Sequence, residues 1–244
     1  MINLIYNVNE VMILPIILLA LGLISLTLFC ISKVKSYSYR TVIIKGITSL
    51  LFLSLGIYGM IAMEFRILSF FVVPGLFFGL LGDIFLDLKY VQKERDYLWT
   101  MLGFIAFGVG HILYITGMFL EYYVDQSIFY IFIPILLAII MGPITMLIGK
   151  AMKAVYGKFF WIAFFYAMTL FGTVFTSFFL WMMTAFTETT LLLFFIGAVL
   201  FTVSDLILNM TYFTEGHEKP FDIVSNSVTY YLAQFLIALS ILFI

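Results

Sequence analysis

The chain alternates long apolar runs with short polar connections. Eight runs reach the roughly 20 residues that a helix needs to cross a bilayer. They cover about 10–31, 41–62, 67–88, 98–120, 127–148, 159–182, 190–212 and 223–243. The pattern predicts an all-α membrane protein: one bundle of eight transmembrane helices forming a single polytopic domain over residues 1–244. The first run has no basic segment before it and is long enough to span, so it reads as a helix and not as a cleaved leader.

Basic residues follow the same alternation. Lys33, Lys35 and Arg40 follow the first run, Lys89, Lys93 and Arg95 the third, Lys150, Lys153 and Lys158 the fifth, and Lys219 the seventh. Only Arg66 falls in a connection on the other side. The positive-inside rule then puts the basic connections in the cytosol and both termini on the non-cytosolic side. A bacterial-type cytoplasmic membrane is the expected location. Composition agrees: hydrophobic residues make up 64% and charged residues 10%, too little polar surface for a soluble domain. A net charge of −1 gives no reason to expect nucleic acid. The single cysteine, Cys30, excludes a disulfide framework.

Against this background two acidic residues stand out. Asp83 and Asp205 sit in similar phrases, Gly82-Asp83-Ile84-Phe85-Leu86-Asp87 and Ser204-Asp205-Leu206-Ile207-Leu208-Asn209. A carboxylate in hydrocarbon costs about 2.5–3.5 kcal/mol on insertion scales, so it marks a functional site by default. Counting back from the helix ends at 1.5 Å per residue places both roughly 8–11 Å inside the cytosolic boundary. The two phrases lie four spans apart, which suggests a parallel four-plus-four repeat about an axis along the membrane normal.

Other polar groups gather at similar depth. Lys45, Tyr166, Tyr230 and Gln234 lie in the cytosolic halves of their helices, and Tyr230 and Gln234 share a face as i and i+4. Asn209 follows Asp205 by one turn, as Asp87 follows Asp83. His111 and Tyr114 are deeper. Each has a plainer role open to it. Lys45 is within snorkelling reach of the interface, Asp87 is near enough to water to be solvated, and the amides and tyrosines suit interhelical bridging. His217 reads as a solvated loop residue. Pro134 and Gly142-Pro143 predict a kinked fifth helix and a wider lateral opening. Two histidines and one cysteine make a metal site a weak reading, and no glycine-rich phosphate motif or nucleophile elbow occurs.

At these residues the chain resembles the YhhN family, whose animal members are lysoplasmalogenases. The matching stretches are Phe78-Gly79-Leu80-Leu81-Gly82-Asp83-Ile84-Phe85-Leu86, Phe107-Gly108-Val109-Gly110-His111-Ile112-Leu113-Tyr114, Gly197 through Leu208, and Tyr230-Tyr231-Leu232-Ala233-Gln234-Phe235-Leu236-Ile237. Lys45 resembles the family's early lysine. The resemblance implies eight helices, a lysophospholipid substrate, and hydrolysis dependent on two aspartates, here Asp83 and Asp205; acid–base work by two carboxyls needs no cofactor. It implies cleavage of a lysoplasmalogen at its vinyl ether to a fatty aldehyde and a glycerophospho-base.

That chemistry needs a proton donor and a nearby negative charge. Two close carboxyls supply both when burial and mutual repulsion keep one protonated while the other ionises. Lys45 is then a candidate for the lipid phosphate. Tyr230, Gln234 and Asn209 are candidates for orienting the aspartates or the glycerol hydroxyl, His111 for contacting the substrate or a carboxylate, and Tyr114 and Tyr166 for binding the substrate. A proton-coupled transporter and a lipid-binding membrane protein remain the alternatives.

Overall fold

A computed structural model describes residues 8–122, 128–214 and 219–244. His217 and the start of the fifth predicted run lie outside the described residues. Eight helices follow one another: α1 (Val8–Lys35), α2 (Tyr39–Ala62), α3 (Ile67–Val91), α4 (Asp96–Tyr122), α5 (Phe129–Ala151), α6 (Phe160–Met183), α7 (Thr189–Phe213) and α8 (Pro220–Ser240). All eight are long and apolar enough to cross a membrane, and no strand occurs among the described residues.

Several helices run past their apolar stretch. α1 continues through Lys33 to Lys35, and α3 to Val91. Hydropathy marks only the hydrocarbon-facing part of a helix, while backbone hydrogen bonding carries it on into the polar layer. Lys33, expected in a connection, therefore belongs to a helix.

The α1–α2 and α5–α6 connections meet the ends of α3, α4 and α7 at one end of the bundle. Tyr37 stacks on Tyr90 with centroids 4.0 Å apart, Tyr90 meets Tyr212 at 6.4 Å, and Lys158 Nζ lies 5.9 Å from the Tyr97 ring. The Val155 N–H donates to Phe213 O at 2.7 Å. This is the basic end. At the opposite end the Arg66 guanidinium bonds Glu121, which also accepts the Leu68 N–H at 3.0 Å, tying the start of α3 to the end of α4.

Two turns at that opposite end are built alike. After α2, Glu64 and Phe65 adopt φ of 53° and 60°; after α6, Ala185 and Phe186 adopt 51° and 62°. In both, the second left-handed residue returns its N–H to the carbonyl five residues back, Phe65 to Met60 and Phe186 to Trp181, each at 2.9 Å.

Lipid tails are as apolar as leucine, so helices associate in a membrane through close packing and polar contacts. α3 packs on α2, α4 and α8, and α8 on α1, α2, α3 and α7. α1 and α5 are peripheral, with 22% and 28% of their apolar windows buried against 56% for α8. The α3–α4 seam depends on small residues. A Cβ at Gly110 would lie 3.0 Å from Gly75 O, a backbone atom that cannot step aside.

Gly110→Val should therefore cost about 1–3 kcal/mol through overpacking, lowering the thermal midpoint in detergent by about 2–4 °C per kcal/mol. Gly46→Ala, whose Cβ meets only Ile84 at 3.9 Å, should raise it, since alanine is favoured over glycine in a helix by about 0.5–1 kcal/mol. A thermal-shift comparison of the two checks the seam.

Candidate functional site

α3 presents Asp83 and Asp87 one turn apart, hence on one face. Lys45 comes to them from α2, with Nζ 3.3 Å from Asp83 Oδ1 and 3.2 Å from Asp87 Oδ1. Lys33 comes from the last turns of α1, with Nζ 3.1 Å from Asp87 Oδ1. The four groups alternate in sign as Lys33–Asp87–Lys45–Asp83, and all four are buried. Desolvating any one of them alone costs several kcal/mol; together they sum to zero charge. Asp87 is thus an ion-pair partner and not a solvated interface residue. Lys45 points inward instead of snorkelling.

The second oxygen of Asp83 is also occupied. Oδ2 accepts from Ser49 Oγ at 2.6 Å and from Tyr230 OH at 2.8 Å. Tyr230 in turn accepts from Gln234 Nε2 at 2.9 Å, and Tyr114 OH reaches Gln234 Oε1 at 3.4 Å. The i, i+4 pair on α8 thus buttresses the carboxylate from one side. Gly79 makes room for it, because a Cβ there would lie 2.6 Å from Gln234 Nε2.

Asp205 is held differently. Tyr166 OH of α6 donates to its Oδ2. Among the described residues no lysine, arginine or histidine pairs with it. Beside it Asn226 of α8 donates to Ser204 O at 2.8 Å and to Ser204 Oγ at 2.9 Å, locking α7 to α8.

Asp83 and Asp205 line one cavity of about 20 Å³, together with Lys33, Lys45, Ser204 and Tyr230. That volume suits a single water molecule. A second, mostly apolar cavity of about 30 Å³ lies on the other side of Asp205, against Tyr166, Asn209, Phe104 and Phe171. Asp205, Leu208 and Tyr212 border both.

The residues expected from sequence divide accordingly. Lys45, Asp83, Asp205 and Tyr230 meet at the first cavity, while Tyr166 and Asn209 meet at the second. The Asn209 carbonyl accepts from Tyr156 OH at 3.2 Å, so it faces α5 and α6. Gln234 and Tyr114 stand behind Tyr230. His111 lines neither cavity; its Nδ1 is 2.9 Å from Thr173 Oγ1 and its ring packs 4.7 Å from Phe201. Sequence reasoning missed Lys33, Ser49, Tyr231 and Asn226. Ser49 is i+4 from Lys45, and Asn226 is i−4 from Tyr230, so helical spacing from known polar residues would have found both. Tyr231 OH reaches Lys45 O at 3.2 Å. Among the described residues no three His, Cys, Asp or Glu side chains gather as a metal site.

The model of the YhhN family matches residues 40–241, more than half of the chain. The comparisons with curated proteins and with solved structures gave no match.

Breaking the charge quartet from one side should be worse than deleting a pair. Lys33→Met leaves Asp87 short of a cation, with an expected loss of about 3–5 kcal/mol, while Lys33→Met combined with Asp87→Leu should recover most of it. Unfolding midpoints of the two variants in detergent check this; equal losses would mean that the pair is not what holds α1.

Proposed function

The chain belongs to the YhhN family, and from that premise and the geometry of the two aspartates we propose that it is a lysoplasmalogenase-like hydrolase. It cleaves the vinyl ether of a lysoplasmalogen to a fatty aldehyde and a glycerophospho-base. The observation that carries the reading is the shared cavity of Asp83 and Asp205, where one carboxyl has a cation and the other, among the described residues, has none.

Asp205, half-buried in a spanning helix and with no cation among the described residues, is stable there only with its proton, so it is the acid and Asp83, paired with Lys45, the carboxylate. Asp205 gives its proton to the outer alkene carbon, forming a C–H bond and an oxocarbenium ion. The Asp83 charge stabilises that ion and takes a proton from the water that adds to it. The resulting hemiacetal returns its hydroxyl proton to Asp205. Asp83 passes its proton to the glycerol oxygen as the C–O bond breaks. Both carboxyls end as they began, with one water consumed. Ser49, Tyr230 and Gln234 orient Asp83, and Tyr166 orients Asp205. With Lys45 engaged by two carboxylates, it sets charge at the site instead of holding the lipid phosphate.

The basic end faces the cytosol in this reading, with both termini opposite, in a cytoplasmic membrane of bacterial type. The alkenyl chain enters sideways, along the apolar groove of about 730 Å³ between α5 and α6. That groove reaches Tyr156, whose hydroxyl bonds Asn209 beside Asp205. The halves α1–α4 and α5–α8 are read as a parallel repeat. The matched turns after α2 and α6 support this, as does the place of Lys45 on α2 against Asp83 and of Tyr166 on α6 against Asp205.

The direct test gives purified protein vinyl-ether, alkyl-ether and acyl lysolipids and follows aldehyde and fatty acid by mass spectrometry. Aldehyde from the vinyl ether alone is expected. Asp83→Asn and Asp205→Asn should each lower turnover by at least a hundredfold, the span of acid–base catalysis being about 10²–10⁴; the thermal midpoint should hold in Asp205→Asn and fall in Asp83→Asn, which leaves Lys45 short of one carboxylate. Fatty acid from the acyl lipid, or lipid carried across liposomes unaltered, would replace hydrolysis of the vinyl ether with esterase or transport activity.

A further inference from the structure

Toward the basic end, one layer of side chains beyond the carboxylates, lies an open pocket of about 640 Å³. Tyr37, Lys89, Tyr90, Lys93 and Asp96 line it. Tyr37 and Tyr90 are stacked with an interplanar angle of 15°. The Lys89 ammonium lies 4.9 Å from the Tyr90 centroid and 3.1 Å from that of Tyr212. Asp96 accepts from Thr100 Oγ1 at 3.1 Å, which orients its carboxylate.

This pocket is joined to the reaction site through shared walls. Tyr212 touches Tyr90 and also lines the cavity of Asp83 and Asp205. Lys33 lies 5.7 Å from the rings of both Tyr37 and Tyr90, and it pairs with Asp87. On α3, Asp83, Asp87 and Tyr90 are i, i+4 and i+7, one continuous face. Seven residues rise about 10 Å. In a glycerophospholipid with an ether at the first carbon, six bonds separate phosphorus from the ether-bearing alkene carbon, on the order of 7–8 Å when extended. A phosphate in the pocket therefore leaves the alkene beside the carboxylates.

The lining has two signs of charge. Two ammonium groups suit a phosphate; one carboxylate and the tyrosine faces suit an alkylammonium. A simple anion would have no use for Asp96. We propose that this pocket binds the phosphate–amine headgroup of a lysophospholipid, with Lys89 and Lys93 on the phosphate and Asp96 with Tyr90 on the amine. The proposal deepens the hydrolase reading and rests on it for placing the alkene at Asp83 and Asp205.

The test measures binding, so that it stands apart from turnover. Full-length purified protein is titrated with 1-O-alkyl lysophosphoethanolamine, whose ether is not cleaved, and with 1-O-alkylglycerol, which lacks the headgroup. The phospholipid should bind at least tenfold tighter. Lys93→Glu should erase that preference and Lys93→Arg should keep it. Lys153→Glu, the same charge change away from the pocket, should leave it intact, with all thermal midpoints alike. Equal affinity for the two lipids, or a preference that survives Lys93→Glu combined with Lys89→Met, overturns the pocket. Free phosphoethanolamine should compete only weakly; binding as tight as the lipid's would make this a site for a soluble phosphate ester and overturn the lipid assignment. Aldehyde release without headgroup preference defeats the pocket alone, and headgroup preference without aldehyde release defeats hydrolysis alone.

Discussion

A carboxyl group inside a membrane has to be neutralised, by a cation or by a proton, and the bundle surrounds its aspartates unequally. On α3, Asp83 and Asp87 are matched by Lys45 and Lys33, which fixes α1, α2 and α3 against one another through a chain of contacts of 3.1–3.3 Å. On α7, Asp205 has a tyrosine hydroxyl and, among the described residues, no cation. The hydrophobic effect does not choose how helices pair in lipid. Buried polar groups that must find each other do, and the small residues of the α3–α4 seam let the backbones come close enough for them to meet. The arrangement of the central helices follows from where these charges can be satisfied.

Unequal neutralisation is also what gives the cavity its proposed chemistry. Two carboxyls with the same surroundings would titrate as one coupled pair, with no assigned acid. Here a lysine stands against one and a tyrosine against the other, at corresponding places on α2 and α6. In the proposed mechanism a proton donor and a fixed negative charge then face the same water-sized space. The groove between α5 and α6 and the pocket of lysines and tyrosines approach this space from two directions, as a lipid's chain and headgroup would.

The helices were legible because each apolar run approaches the thickness of a bilayer, and the connections because their lysines and arginines fall on alternate sides. Asp83 and Asp205 were legible because a charge in an apolar run is costly and rare, and Tyr230 with Gln234 because two polar residues share a helical face. Lys33 was not. A lysine at the edge of an apolar run reads as its end, yet the helix continues and turns that lysine inward to Asp87. The direction of Lys45 was hidden for a related reason, since a lysine near the interface can reach out to water or in to a carboxylate. Serine and tyrosine are ordinary in spanning helices, so Ser49 and Tyr231 carried no signal without their neighbours. His111 has the expected depth, but depth along a helix says nothing about which neighbouring helix a side chain meets, and its nearest polar contact is Thr173 on α6.

The proposed chemistry requires one of the two cavity-lining aspartates to be protonated and the other charged. Infrared difference spectroscopy on the purified protein at neutral pH tests it most directly, comparing wild type with Asp83→Asn and Asp205→Asn in the carbonyl-stretch region of protonated carboxylic acids. The account predicts a band that disappears in Asp205→Asn and persists in Asp83→Asn. No such band in the wild type, or a band lost in Asp83→Asn and kept in Asp205→Asn, would contradict it.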